Sequence, residues 1–99
     1  MTLALPITLE NVKTVGQLNH YFDQLLDFDN DDLLFASSYL RGFINVASVA
    51  FGDEHQQLAT DLYEIVSEQV TAASDELNDV DKQIVNDFWL QLQSTFIPS

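Results

Sequence analysis

The chain contains no cysteine and only three glycines, two prolines and three basic residues. The missing cysteine excludes disulfide bonds, thiolate catalysis and thiolate metal ligands. No run of eighteen apolar residues occurs, and the first thirteen residues lack the basic leader of a secretory signal. We therefore expect a cytoplasmic protein that does not insert into membranes.

Basic residues are few in this sequence. Lys13, Arg41 and Lys82 stand against sixteen acidic residues, which gives a net charge of −13. Such a charge repels the phosphates of nucleic acids and the headgroups of anionic lipids, so we expect no direct binding to either. A basic protein partner would suit this charge, although solubility alone is the simpler explanation.

Ninety-nine residues, 46% of them hydrophobic, can build one core but not two. Helical periodicity recurs in four segments joined by short turns, which predicts an all-α fold: a small antiparallel bundle of about four helices. An extended N-terminal arm over residues 1–13 is expected to precede a single helical domain over residues 14–97. In the arm, apolar residues alternate with other types, as in a half-buried extended segment. These apolar residues are Leu3, Leu5, Ile7 and Leu9.

Capping signals predict where the helices begin. Thr14 and Gln17 have the spacing of a capping box, so the first helix is expected over about residues 14–26. Asn30 opens the second helix, and Asp31 and Asp32 suit the positive end of its dipole. Asn78 opens the fourth helix, which Pro98 closes.

The boundary between the second and third helices rests on Gly52. We expect the second helix to run to Phe51, with Gly52 in the left-handed conformation that terminates helices and Asp53 starting the third helix.

Apolar residues are expected to form one face of the first, third and fourth helices. In the first helix they are Val15, Leu18, Phe22, Leu25 and Leu26, with Tyr21 at the edge. In the third they are Leu58, Leu62, Ile65, Val66 and Val70. In the fourth they are Val80, Ile84, Val85, Phe88, Trp89, Leu92 and Phe96.

The second helix is apolar on nearly every side, which predicts that it is the central helix. Its one polar stripe consists of Ser37, Ser38, Arg41, Asn45 and Ser48. Gly42 lies off this stripe, where we expect another helix to approach closely. Arg41 has no acidic residue three or four positions away, so its partner must come from elsewhere. An inter-helix salt bridge is the simpler interpretation, and a guanidinium that faces a ligand is the alternative.

The segment around Arg41 resembles the YfcL family of small bacterial proteins, whose members carry a DDELFASGYLRG-like run. The matching residues are Asp31, Asp32, Leu34, Phe35, Ala36, Ser37, Tyr39, Leu40, Arg41 and Gly42. The likeness continues in a turn, Gly52 to His55, and in a pattern formed by Ile84, Val85, Asp87 and Trp89. The resemblance covers about residues 18–93. The chain departs from the family pattern at Ser38, where the family often has glycine. The resemblance implies a helical cytoplasmic protein without an assigned activity.

No motif predicts a metal site, a cofactor or a catalytic centre. Asp27, Asp29 and Asp31 match the first ligands of an EF-hand, but Asp32 and Ser38 occupy the positions that require glycine and glutamate. Helix capping explains these aspartates better. His20 and His55 do not form a helical ligand pair; we expect His20 to be solvated and His55 to be half-buried in a turn.

The leading hypothesis is therefore a non-enzymatic protein-interaction module. Its binding surface is either an acidic ridge on the third helix, formed by Asp61, Glu64 and Glu68, or the stripe of Ser37, Ser38, Arg41 and Asn45. One alternative is a small-molecule or metal-dependent enzyme that uses Arg41 with a carboxylate from a neighbouring helix. Another is an acidic mimic of nucleic acid that binds a basic protein. A homodimer through Leu90 and the arm is also open.

Overall fold

Four α-helices make up the fold of the chain, seen in a computed structural model that describes residues 5–53 and 55–97. They are α1 (Val15–Leu25), α2 (Asp31–Ser48), α3 (Thr60–Ser74) and α4 (Asp79–Phe96). No strand occurs among the described residues. The predicted all-α fold is confirmed. Some of the predictions rest on Leu3, Glu54 and Pro98, which lie outside the described residues.

The central helix is α2, as its composition predicts, because it packs against each of the other three helices. Its fully buried side chains include Leu33, Ala36, Leu40 and Ile44, which recur at helical spacing and form one face. The core of the domain is built around this face.

Helices that neighbour each other along the chain run antiparallel. Between α3 and α4, Tyr63 packs on Phe96 with ring centroids 5.5 Å apart, and Trp89 Nε1 donates to Ser67 Oγ at 2.8 Å. Later residues of α3 thus meet earlier residues of α4. Between α1 and α2, Asp23 contacts Arg41 and Asn19 contacts Asn45, which is the same reversed order.

Three predicted helix starts are confirmed by their hydrogen bonds. Gln17 N donates to Thr14 Oγ1 at 3.1 Å, and Thr14 N donates in return to Gln17 Oε1. Asn30 Oδ1 accepts from the backbone of α2 at 3.1 Å, and Asn78 Oδ1 accepts from the backbone of α4 at 2.8 Å. Each cap satisfies an amide group that has no partner within its own helix.

The predicted start of α3 at Asp53 is wrong, because the helix begins only at Thr60. Asp53 Oδ1 instead accepts from His55 N at 2.9 Å and forms a turn. The N-cap of α3 is Ala59, which supplies no side-chain hydrogen bond.

Tertiary pairing explains the late start of α3. Leu58 N donates to Lys13 O at 2.8 Å, and Val15 N donates to Gln56 O at 3.1 Å. These bonds hold residues 56–58 in an extended conformation beside the chain that leads into α1, so the helix cannot begin before them. The pairing also explains why Leu58, predicted in the helix, is buried in the connection.

The end of α2 also differs from the prediction. The helix ends at Ser48 rather than Phe51, and residues 49–51 continue as a turn. Gly52 N donates to Ser48 O at 3.1 Å, and Gly52 has a φ of 147°. That backbone conformation strongly favours glycine, so the position of the chain reversal agrees with the prediction although the helix is shorter.

The described part of the N-terminal arm, from residue 5 onward, lies on the helices with alternate residues inward. Leu5, Ile7 and Leu9 are half-buried against the core, whereas the residues between them are exposed. The Tyr21 hydroxyl donates to Ile7 O at 2.7 Å and ties the arm to α1. Burial raises the pKa of Tyr21 to about 12, because the charged phenolate is poorly solvated there.

Several predicted apolar positions differ in burial. Leu26, at the C-cap of α1, and Val80, in the first turn of α4, are exposed although they were expected on buried faces. Tyr21 is fully buried rather than at the edge. Ile65 is 38% exposed on α3. None of the helices that the structure describes combines the length and the apolar character needed to cross a bilayer.

Candidate functional site

Arg41 and Asn45 form a polar seam with α1. Arg41 Nη1 donates to Asp23 Oδ1 at 2.7 Å, and Asn19 Nδ2 donates to Asn45 Oδ1 at 3.0 Å. The two contacts lie one helical turn apart on each helix and run in opposite directions, which fixes α1 and α2 as antiparallel. The acidic partner of Arg41 thus comes from another helix, as the absence of a local acid predicts.

The seam is only partly shielded from water. The side chain of Arg41 is 34% exposed and that of Asp23 is 55% exposed. An ion pair in this setting contributes about 0–1 kcal/mol to stability. Among the described residues, the surface grooves between α2 and α3 and around the N-terminal arm are lined by side chains other than these two.

The serines of the stripe point in different directions. Ser37 and Ser48 are buried, and each hydroxyl donates to a carbonyl of its own helix, at Leu34 O and Asn45 O. Ser38 is exposed. The hydroxyls of these two buried serines therefore have their hydrogen-bond partners within α2. The structure therefore does not bring the five stripe residues together around one space.

The acidic ridge of Asp61, Glu64 and Glu68 lies on the exposed side of α3. None of the three forms an ion pair or a hydrogen bond with a side chain of the described residues, and α3 contains no lysine or arginine. The two ion pairs of the described chain, Arg41 with Asp23 and Lys82 with Asp75, lie off the ridge. The ridge is consequently a line of uncompensated carboxylates.

An apolar groove of about 470 Å³ lies between α2 and α3. We call it the α2–α3 groove, and it is lined by Tyr39, Gly42, Phe43, Val46 and Gln69. Phe35, Tyr39 and Phe43 form a row of rings along this side of α2, with centroids 5.9 and 5.2 Å apart. Val46 is 73% exposed at one end of it.

Gly42 is not the close-packing glycine that the sequence suggests. A side-chain carbon added there would meet no described atom within 4 Å beyond its chain neighbours and its own helix backbone, and the residue is exposed. The expected close approach of another helix is therefore wrong. The small residue instead leaves the floor of the groove open.

Acidic residues lie near the groove. Burial, and then the carboxylate of Glu76, raise the pKa of Tyr39, which places the C-terminal end of α3 beside this part of α2. At about 100° per residue, Asp61 and Glu68 lie within about 60° of Ile65 around α3. Ile65 itself precedes the lining residue Gln69 by one turn. Asp61 and Glu68 thus lie on the face of α3 next to the one that carries Ile65 and Gln69.

Helix direction also gathers two acidic stretches that are distant in sequence. Because α3 runs antiparallel to both α2 and α4, the start of α2, the end of α3 and the start of α4 lie at one end of the bundle. The acidic residues there are Asp31, Asp32, Asp75, Glu76, Asp79 and Asp81. We call this the acidic end, and sequence spacing alone did not reveal it.

No group of three metal-binding side chains that could hold an ion occurs within residues 5–53 and 55–97. His20 and His55 are both exposed, the second contrary to its expected half-buried turn. Asp31 and Asp32 occupy the first turn of α2, next to the cap at Asn30. Their carboxylates thus lie at the positive end of the α2 dipole.

The fold and its sites define a small all-α domain with a partly exposed ion pair between α1 and α2 and an acidic, grooved outer face. The family model of the YfcL protein matches residues 13–94, and the chain therefore belongs to the YfcL family. It is 35% identical over 72 residues to the uncharacterized protein YfcL of Escherichia coli (strain K12), an alignment that covers 71% of this chain and 78% of that protein. No solved structure matches the chain. The resemblance drawn from the Asp31 to Gly42 segment is confirmed.

Proposed function

We propose that this YfcL-family chain is a non-enzymatic protein-interaction module that binds a basic protein through α3. The observation that carries the proposal is the acidic ridge, whose three carboxylates have no cation on their own helix and no ion-pair partner among the described residues. Solvated carboxylates at one-turn spacing favour fast, oriented encounter with lysines and arginines of a partner.

The stripe of α2 supports this function less well than the ridge. Arg41 and Asn45 are engaged with α1, and Ser37 is buried, so binding through them would require the seam to open. The same geometry gives no support to an enzyme that uses Arg41 with Asp23, because substrates need a pocket beside the reacting groups. Exposed carboxylates also occur in several regions, namely the α1–α2 connection, α3 and the start of α4, which does not favour mimicry of a phosphate backbone.

Affinity capture from cells of the source organism, followed by mass spectrometry, tests the proposal. Reversing the charge at Glu64 and Glu68 to lysine should abolish capture of the partner that the unmodified chain retains. Arg41→Ala is the comparison variant and should capture it normally. Equal capture by the two variants would contradict binding through the ridge.

A further inference from the structure

The α2–α3 groove has the features of a docking site rather than of an incompletely packed core. Its lining is mainly apolar, and its row of three rings is only half-buried. Val46 and Ile65, on the two helices that flank it, are both exposed. Exposed apolar side chains gathered on one face are typical of surfaces that bind another protein.

Gly42 gives independent support, because its presence has no explanation within the isolated chain. Glycine in the interior of a helix lowers stability by about 0.5–1 kcal/mol relative to alanine. Apart from its chain neighbours and the backbone of its own helix, no described atom lies within 4 Å of the position that a methyl group would take. A partner that approaches the backbone of α2 at this point would use the open space.

Charge identifies the kind of partner. Glu76 lies near the lining residue Tyr39, and Asp61 and Glu68 lie on the exposed face of α3 next to the one that carries Gln69. None of the three basic residues lines the groove: Arg41 is paired with Asp23 of α1, Lys82 is paired with Asp75, and Lys13 lies in the segment that leads into α1. A partner helix with an apolar stripe and flanking lysines or arginines would bury the stripe in the groove and place its cations against these carboxylates.

We infer that the α2–α3 groove binds a basic amphipathic helix of a partner protein, with the apolar stripe of that helix seated over Gly42, Phe43 and Val46. This inference rests on the proposed function and assigns the site that carries it. The acidic ridge supplies orientation from the adjacent face of α3, and the groove supplies the contact area.

The test uses a fluorescein-labelled peptide of about 14 residues, four helical turns, made of leucine and lysine with the leucines on one face. A second peptide of the same composition has its leucines dispersed, and a third has glutamate in place of lysine. Fluorescence anisotropy with the full chain should show saturable binding of the first peptide alone.

Matched variants locate the binding site. Val46→Gln and Gly42→Gln should each weaken binding of the first peptide roughly five- to tenfold, because they remove apolar contact or fill the groove. Leu90→Gln is the control, since Leu90 is comparably exposed, at 63% against 73% for Val46, and lies on α4. It should leave the affinity unchanged. Circular dichroism of each variant checks that the fold is retained.

Charge is tested in the same assay. Neutralising Asp61 and Glu68, to asparagine and glutamine, should weaken binding about threefold and reduce its dependence on salt. Asp27→Asn with Asp29→Asn changes charge equally on the α1–α2 connection and should have a smaller effect.

Three results would overturn the inference. The first is equal binding of the striped and dispersed peptides, and the second is an equal loss of peptide affinity in Val46→Gln and Leu90→Gln. The third is a dimer of the unmodified chain in sedimentation that Val46→Gln dissociates, since a second copy of the chain would then occupy the groove. If the peptide fails to bind while cellular capture still depends on Glu64 and Glu68, the inference falls and the proposed function stands.

Discussion

The guanidinium of Arg41 lies 2.7 Å from the carboxylate of Asp23 and joins α2 to α1 on the side of α2 away from Gly42 and Val46. The single arginine of the chain is thereby engaged within the domain. The outer face that α2 shares with α3 is left with apolar side chains and carboxylates. α2 thus has a paired polar seam with α1 on one side and an open groove with α3 on another.

The Arg41–Asp23 ion pair should contribute little to stability. In a double-mutant cycle of Arg41→Ala and Asp23→Ala, we expect a coupling free energy of about 0.2–1 kcal/mol, because both side chains are partly solvated. Urea unfolding followed by circular dichroism measures it. A coupling well above 2 kcal/mol would show that the seam is far more important to the fold than its exposure implies.

Replacement of Gly42, inside α2, and of Gly52, after its end, should have opposite effects. Gly42→Ala should raise the free energy of unfolding by about 0.5–1 kcal/mol, because the methyl group meets nothing and the helix loses a flexible residue. Gly52→Ala should lower it by about 1 kcal/mol or more, because a φ of 147° is strained for alanine. Loss of stability in Gly42→Ala would mean that the groove is filled in solution.

Tyr21 should make the fold sensitive to alkaline pH. The pKa of Tyr21 is about 12 in the folded chain, against 10.0 for a free tyrosine. Between pH 10 and 12 the unfolded chain therefore loses this proton while the folded chain keeps it, so the free energy of unfolding falls as pH rises. Stability from this group is fully present below pH 10.

The variant Tyr21→Phe isolates this effect. It should lower stability by about 1 kcal/mol at pH 7, through loss of the hydrogen bond to Ile7 O. Its stability should then fall less steeply than that of the unmodified chain between pH 10 and 12. Parallel curves for the two proteins, measured by urea unfolding across this range, would argue against the burial of Tyr21.

Charges at the acidic end should differ in effect according to the helix terminus they occupy. Glu76 follows the C-terminus of α3, where the dipole is negative, so Glu76→Gln should raise the free energy of unfolding by roughly 0.3–1 kcal/mol. Asp79 lies in the first turn of α4, so Asp79→Asn should lower it by a similar amount. Both effects should shrink in 1 M NaCl because salt screens exposed charges. Shifts of the same sign in the two variants would contradict the helix dipoles as the cause of these effects.

Local sequence signals determined much of the fold. The caps at Thr14, Asn30 and Asn78 lie where their side chains and spacing predict, because capping depends on residues within one turn. The central place of α2 likewise follows from its apolar circumference. The start of α3 could not be predicted from Asp53, because a pairing with residues 13–15, over forty positions away, decides it.

The candidate site was predictable only in part. Helical spacing was enough to place Asp61, Glu64 and Glu68 on one exposed ridge, and to require a distant partner for Arg41. The groove was not predicted, because the row from Phe35 to Phe43 has the same periodicity as a buried face. Only the tertiary packing shows that Gly42 and Val46 remain uncovered.

Chemical-shift mapping of the ¹⁵N-labelled chain with the striped basic peptide tests the central claim most directly. We predict that the largest amide shifts occur at Gly42, Phe43, Val46 and Gln69, with smaller shifts at Asp61 and Glu68. Amides of the seam at Asp23 and Arg41 should shift little. Shifts concentrated at the seam or around Leu90, or no shifts at saturating peptide, would contradict the account.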